Sequence, residues 1–195
     1  MDNKEILEYL DKRGVATAGD LRKKFGINDE QAHGIMKQLV KDREAFSVKK
    51  GDAVCSLRAK GRVKGVLSIK QGGFGFVLSE DGDVFVGKKD IKAAFDGDVV
   101  LVKLKVDSHD GRRREGKIEE ILSDGPQTVV GVVRRRKNGL FVVADSRSIG
   151  NIYIKKSGRN GAEDGQVVLT EITRRGDGEE PHEGVIREML GVKGE

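Results

Sequence analysis

Residues 84-VFVGKKDIKAAFDGDVVLVKL-104 lie over 152-IYIKKSGRNGAEDGQVVLTEI-172 without a gap, at an offset of 68 (152 − 84). The same offset lays 115-EGKIEEIL-122 over 183-EGVIREML-190. Upstream, 65-GVLSIKQGGFGFV-77 matches 131-GVVRRRKNGLFVV-143 at an offset of 66 (131 − 65), so the second copy carries two extra residues in one turn. A repeat of this kind constrains the fold more than any single motif, because what one copy forms the other must form too. Apolar residues two apart, punctuated by glycine, read as short strands with tight turns. Glycine supplies 27 of 195 residues and proline only 2, which suits turns between strands better than a disordered linker.

Each copy reads as five short strands in roughly 65 residues, the size of a small Greek-key barrel of the OB type. The two copies are placed at 60–125 and 126–191. Residues 1–58 have a different rhythm. Ile6, Leu7 and Leu10 form a helical stripe ending at Gly14, and Thr17 with Asp20 is a capping-box pattern ahead of Leu21 and Phe25. Asn28 and Gln31 repeat that pattern before Ala32, Ile35, Met36, Leu39 and Val40. Phe46 and Val48 then alternate, 49-KKGD-52 turns, and Val54 to Leu57 return as a hairpin. The expected fold is α+β and multidomain, a winged helix-turn-helix followed by two tandem five-stranded OB-fold, cold-shock-like β-barrels.

Side-chain alternation predicts which way the aromatic residues face. In 83-DVFVG-87 the valines Val84 and Val86 claim the inside and Phe85 the outside. In 73-GFGFV-77, Val77 shares its face with the glycines, so Phe74 and Phe76 are expected outside. Three of the nine aromatic residues (7 Phe + 2 Tyr) would then form one outer surface suited to stacking unpaired bases. In the second copy Tyr153 takes the place of Phe85, Leu140 and Val142 align with Phe74 and Phe76, and Phe141 aligns with Gly75 and is expected to face inward. Candidate phosphate contacts are Lys88, the run Arg112, Arg113 and Arg114, and Arg134 and Arg136 within 134-RRRK-137. Net charge is only +5, but residues 128–175 hold ten Lys/Arg against four Asp/Glu, a local +6 (10 − 4).

The run 61-GRVKGVLSIKQGGFGFVLSEDGDVFVG-87 resembles the cold-shock domain, whose two RNP motifs correspond to 73-GFGFV-77 and 84-VFVG-87. The later 96-DGDVV-100 falls where that family turns into its fourth strand. Cold-shock domains usually carry an early tryptophan and phenylalanine where this chain reads 64-KGVL-67, and a histidine where it has Gly87. A winged helix followed by two such domains resembles the N-terminal half of the ribonuclease R branch of the ribonuclease II family. That resemblance implies a noncatalytic RNA-binding region that captures or guides single-stranded RNA. It also implies a parent 3′-to-5′ exoribonuclease whose magnesium is held by aspartates in a separate catalytic domain. The chain itself is expected to be a piece of that protein, with no catalytic residue, no metal site and no cofactor of its own.

Other chemistry is poorly supported by the residues. His33, His109 and His182 are far apart, with no ligand partner at metal-binding spacing, and are expected at the surface. The single cysteine, Cys55, excludes an internal disulfide and fits a reducing cytoplasm. No apolar run approaches the ~18 residues of a membrane span, and no signal peptide is expected. Residues 1–58 carry twelve basic against ten acidic side chains, less basic than specific duplex readers, so the winged helix is expected to make an accessory RNA or protein contact, with duplex nucleic acid as the alternative partner. A free-standing RNA chaperone or translational regulator, or a winged-helix regulator, would use the same modules.

Overall fold

The computed structural model describes residues 2–105, 113–123, 127–146, 149–176 and 179–192. Its first unit contains α1 (Asn3–Arg13), β1 (Val15–Thr17), α2 (Ala18–Phe25), α3 (Asp29–Lys41), β2 (Ala45–Val48) and β3 (Ala53–Ser56). Both capping boxes form: Thr17 with Asp20 opens α2, and Asn28 with Gln31 opens α3. Each satisfies amide groups that the first helical turn cannot pair, which stabilises by about 1 kcal/mol per cap. Ile6, Leu10, Leu21, Ala32, Met36 and Leu39 meet in one core. The hairpin gains a third strand, giving sheet order β1-β3-β2, consistent with a winged start. Three residues were too few for β1 to show a period in the sequence; it forms by pairing Val15 to Thr17 with Cys55 to Ala53. Cys55 is buried there as a small apolar side chain.

Two closed five-stranded barrels follow. The first contains β4 (Arg62–Ile69), β5 (Gly75–Leu78), β6 (Val84–Val86), β7 (Val99–Leu104) and β8 (Glu115–Ile121), with a short helix α4 (Lys88–Ile91) after β6. The second contains β9 (Gln127–Arg136), β10 (Gly139–Ala144), β11 (Asn151–Ile154), β12 (Gln166–Arg174) and β13 (His182–Val192). Their strand orders, β4-β5-β6-β8-β7 and β10-β11-β13-β12-β9, describe the same closed ring, each with one parallel pair. Gly65 and Gly131 allow the neighbouring strand to approach the first strand of each barrel closely. A Cβ at Gly65 would lie 2.3 Å from the Leu78 carbonyl oxygen, and one at Gly131 would lie 2.5 Å from that of Val143.

The hairpin that opens each barrel is not the same length. Val66 pairs with Leu78, a separation of 12 (78 − 66), whereas Val132 pairs with Val143, a separation of 11 (143 − 132). The first barrel therefore turns through 71–73 beyond the Lys70–Phe74 pair, and the second through 137–138 beyond the Arg136–Gly139 pair. Within this hairpin the offset between copies is 65 rather than 66. A one-residue slip exchanges the two faces of a strand. Hence Leu140 and Val142 are core residues at 1% and 0% exposure, and Phe141 faces outward, the reverse of the expectation from the ungapped alignment.

The units are packed together. The outward side of β7 is closed by the first unit: Arg43 meets Glu120 at 3.0 Å, and Lys64 reaches Glu44 at 2.5 Å and the Asp42 carbonyl at 3.0 Å. Leu101, the cross-strand partner of both Lys64 and Glu120, is buried as a result. Between the barrels, Phe95 leaves the turn before β7 and joins the core of the second barrel. The Arg175 guanidinium lies 4.1 Å from the Phe95 ring centroid and makes two bonds to Asp98, at 2.5 and 3.1 Å. Asp98, 4% exposed, also accepts the Phe95 N–H at 2.7 Å. His182 packs edge-on to Phe95 at 4.9 Å, and its Nδ1 accepts the Gly176 N–H at 2.8 Å. His182 is half-buried rather than fully at the surface, because Phe95 brings an apolar wall against it. Burial, followed by the charge of Arg175, holds its pKa below the usual histidine value.

Candidate nucleic-acid interface

The outer face of the first barrel carries a row running across four strands: Ser68, Phe76, Phe85 and Glu115 are successive cross-strand neighbours. Phe74 stands beside that row, two residues before Phe76 on the same face. The inward positions are held by Gly75, Val77, Val84 and Val86, all buried. The three rings form a closed triangle, with centroids 5.7 Å apart for Phe74–Phe85 and Phe76–Phe85 and 6.1 Å for Phe74–Phe76. All three remain partly exposed.

The cations sort themselves around this triangle. Arg113 places its guanidinium 3.9 Å from the Phe85 centroid and 5.9 Å from that of Phe76. The stem of Lys88 runs along the backbone of Gly73, where an added Cβ would stand 3.1 Å from its Cδ. Arg114 turns away to the neighbouring turn and donates to the Asp81 carbonyl at 2.7 Å. Arg112 lies outside the described residues.

A corresponding row crosses the second barrel: Arg134, Phe141, Tyr153 and Glu183. The Phe141 and Tyr153 centroids are 5.4 Å apart, and the Arg136 guanidinium is 5.2 Å from the Phe141 centroid. Gly139 takes the position of Phe74, and the Tyr153 ring lies against it; a Cβ there would come within 2.7 Å of Tyr153 Cε2. Arg134 has a loose contact with Asp164 at 4.0 Å. The second barrel thus keeps two rings of the three. Phe141 was missed because the offset was carried ungapped through the hairpin. The alternation of Leu140, Val142 and Ala144 within its own strand was the signal that would have found it.

Glu115 and Glu183 end the two rows in different states. Glu183 is bound by Lys155 at 2.7 Å and Arg174 at 3.1 Å, and these cations hold its carboxyl below the usual range. Glu115 has the Arg113 guanidinium at a looser 4.0 Å. Among the described residues, no three His, Cys, Asp or Glu side chains are grouped so as to hold a metal ion.

Comparison with known proteins places this geometry. Residues 65–121 match the Ribonuclease B OB domain, and residues 141–195 match the Cold shock domain. Ribonuclease R of Vibrio parahaemolyticus is 31% identical over 196 aligned residues, covering 95% of this chain and 23% of that protein. Ribonuclease R of Acidithiobacillus ferrooxidans is 27% identical over 195, covering 95% of this chain and 44% of its own length. This chain is an N-terminal ribonuclease R-like region. Ribonuclease R 2 of Lactococcus lactis is 33% identical over 146 residues, covering 68% of the ribonuclease R-like chain and 22% of that protein. The chain spans less than half the length of these curated relatives. Its fold is shared with the apo form of Mycoplasma genitalium RNase R, at a TM-score of 0.58 and 18% identity over 68% of this chain and 22% of that one. Yeast Ssd1, a pseudonuclease, shares it at a TM-score of 0.56 and 15% identity over 71% of this chain and 24% of that one. The Mycoplasma protein has also been solved in complex with ribose methylated single-stranded RNA.

Proposed function

We propose that this chain is the RNA-binding part of a ribonuclease R-like 3′-to-5′ exoribonuclease, holding single-stranded RNA and guiding it toward a catalytic domain. The observation that carries this reading is the outward triangle of Phe74, Phe76 and Phe85 with Arg113 stacked on it. Flat rings on a small barrel accept bases of any sequence, at about 1–3 kcal/mol per stacked base. Arg113 covers Phe85 in the free chain, a contact of about 0.5–1 kcal/mol at an exposed site. A base therefore gains more from that ring than the guanidinium loses. The displaced Arg113 then turns to a phosphate, where Lys88 also reaches.

Among the described residues, no donor set fits the magnesium that the family resemblance implies. The chain's residues bind and orient. The row geometry also fits the choice of single strands, because the faces of paired bases are occupied within a duplex. The winged unit adds Lys49 and Lys50 at the tip of its hairpin, both with positive φ, as an accessory nucleic-acid or protein contact.

A titration of the chain against labelled single-stranded RNA and against duplex DNA of equal length tests this reading. Tighter binding to RNA, weakening with salt as phosphate contacts require, is the expected result. Equal or tighter binding to the duplex would sink it.

A further inference from the structure

We propose that Glu115 makes the first barrel selective for guanine, accepting hydrogen bonds from the edge of the base that stacks on Phe85. The proposal rests on the RNA-binding reading of the first barrel and deepens it, from single strands of any sequence to single strands that carry a guanosine at this ring.

Arg113 shows what the site accepts. Its guanidinium lies over the Phe85 ring, 3.9 Å from the centroid, and its Nη2 stands 4.0 Å from Glu115 Oε1. A flat group with N–H donors on its edge thus already occupies the ring, next to a carboxylate. Phe85 and Glu115 are cross-strand partners in the parallel pair of β6 and β8, and the following Gly116 is buried on the core side. The carboxylate therefore shares the outer face with the ring, and its side chain is 44% exposed. Lys105, whose backbone N–H donates to the Glu115 carbonyl at 2.9 Å, gives its ammonium to Asp90 at 2.9 Å.

Guanine is the base that reproduces the guanidinium. Its N1–H and N2–H donors point the same way from a planar edge, so one carboxylate accepts both. Adenine and cytosine present one amino group beside an acceptor nitrogen. Uracil presents one N–H between two carbonyl oxygens, which a carboxylate repels. Reading the edge of an unpaired, stacked base in this way is the usual route to sequence preference in single-stranded RNA. The bonds form as the base displaces Arg113, which leaves Glu115 facing the base and turns to the phosphate.

The second barrel arranges the matching residues differently. Glu183 is held by Lys155 at 2.7 Å and Arg174 at 3.1 Å, and Arg136 lies over Phe141 rather than over Tyr153, the ring paired with Glu183. A carboxylate already shared between two cations has little to offer a neutral base. The preference belongs to the first barrel.

The test measures dissociation constants of the full chain for single-stranded RNAs of about six nucleotides, within the ~4–16 that one OB fold accommodates. One strand is hexauridine, one alternates uridine with guanosine, and one alternates uridine with inosine, which stacks as a purine but lacks the N2 amino group. The guanosine strand is expected to bind at least about fivefold tighter than the inosine strand, the lower end of what a bidentate base contact discriminates. Glu115→Gln, whose amide has one acceptor oxygen and a donor in place of the other, should erase that difference. It should leave hexauridine bound as tightly as before or more tightly. Glu183→Gln should leave the difference in place. Equal binding of the guanosine and inosine strands overturns the proposal, as does a preference that survives Glu115→Gln or disappears with Glu183→Gln. The platform reading fails separately, through hexauridine affinity that stays unchanged when Phe74, Phe76 and Phe85 are all replaced by Ala.

Discussion

The turns before β7 and before β12 occupy the same place in the two barrels and are built the same way. In the first, the Asp98 carboxylate accepts the Phe95 N–H at 2.7 Å; in the second, the Gln166 side chain accepts the Glu163 N–H at 2.8 Å. The backbone device is shared, and the side chains it presents are opposite in character. Phe95 is 1% exposed and lies in the other barrel's core, whereas Glu163 faces solvent. The pair shows that a repeat fixes geometry and leaves surface chemistry open. One copy's turn has become the joint between the two domains.

That contrast is broken most strongly at the joint. Phe95→Ala should destabilise the chain by about 3–5 kcal/mol through the cavity left in the second barrel, seen as a lower midpoint in chemical unfolding. Arg175→Ala should cost a similar ~3–5 kcal/mol, because it leaves the buried Asp98 carboxylate unpaired. Either change should also separate the unfolding of the barrels into distinct transitions. At the matching position Glu163→Ala should stay within about 0.5 kcal/mol of the parent.

His182 sharpens the comparison through pH. Its folded pKa is lowered, so the unfolded chain binds the proton more readily than the folded one. Its contribution is present above the unfolded value of about 6.5 and is lost as pH falls below it toward the folded value. Stability should therefore drop on acidification through that window. His182→Asn, whose amide oxygen can still accept the Gly176 N–H, should flatten this part of the pH profile; an unchanged slope would remove the histidine from the account.

A small effect is expected from loop length. One glycine inserted between Lys137 and Asn138 lengthens the two-residue turn to match the first barrel's. Loop closure changes little with one residue, and the core side chains Leu140 and Val142 hold the register. Stability should fall by less than about 1 kcal/mol, and Phe141 should stay outside. Quenching of Phe141 and Tyr153 exposure, read by hydrogen exchange and tyrosine fluorescence, would reveal a slip instead.

Much of this architecture was legible in the residues. The capping boxes at Thr17 and Asn28 announced two helix starts, and the repeated glycines and valines gave two barrels. The outward direction of Phe74, Phe76 and Phe85 followed from alternation alone, since Val77, Val84 and Val86 had to be inside. What escaped was whatever depended on contacts between units or on turn length. Phe141 was turned inward by a single uncounted residue in the hairpin. His182 was assigned to the surface because its wall, Phe95, comes from the other barrel, 87 positions earlier (182 − 95). Strand β1 is defined by its partner rather than by a pattern of its own.

The central claim is that the outward aromatic row of the first barrel is an RNA-binding surface. It is tested most directly by the dissociation constant of the full chain for a short single-stranded RNA, before and after Phe74, Phe76 and Phe85 are all replaced by alanine. With folding verified by an unchanged circular dichroism spectrum, the account predicts affinity at least about tenfold weaker, the scale of one or more lost stacking contacts. An unaltered dissociation constant in the folded variant would contradict it.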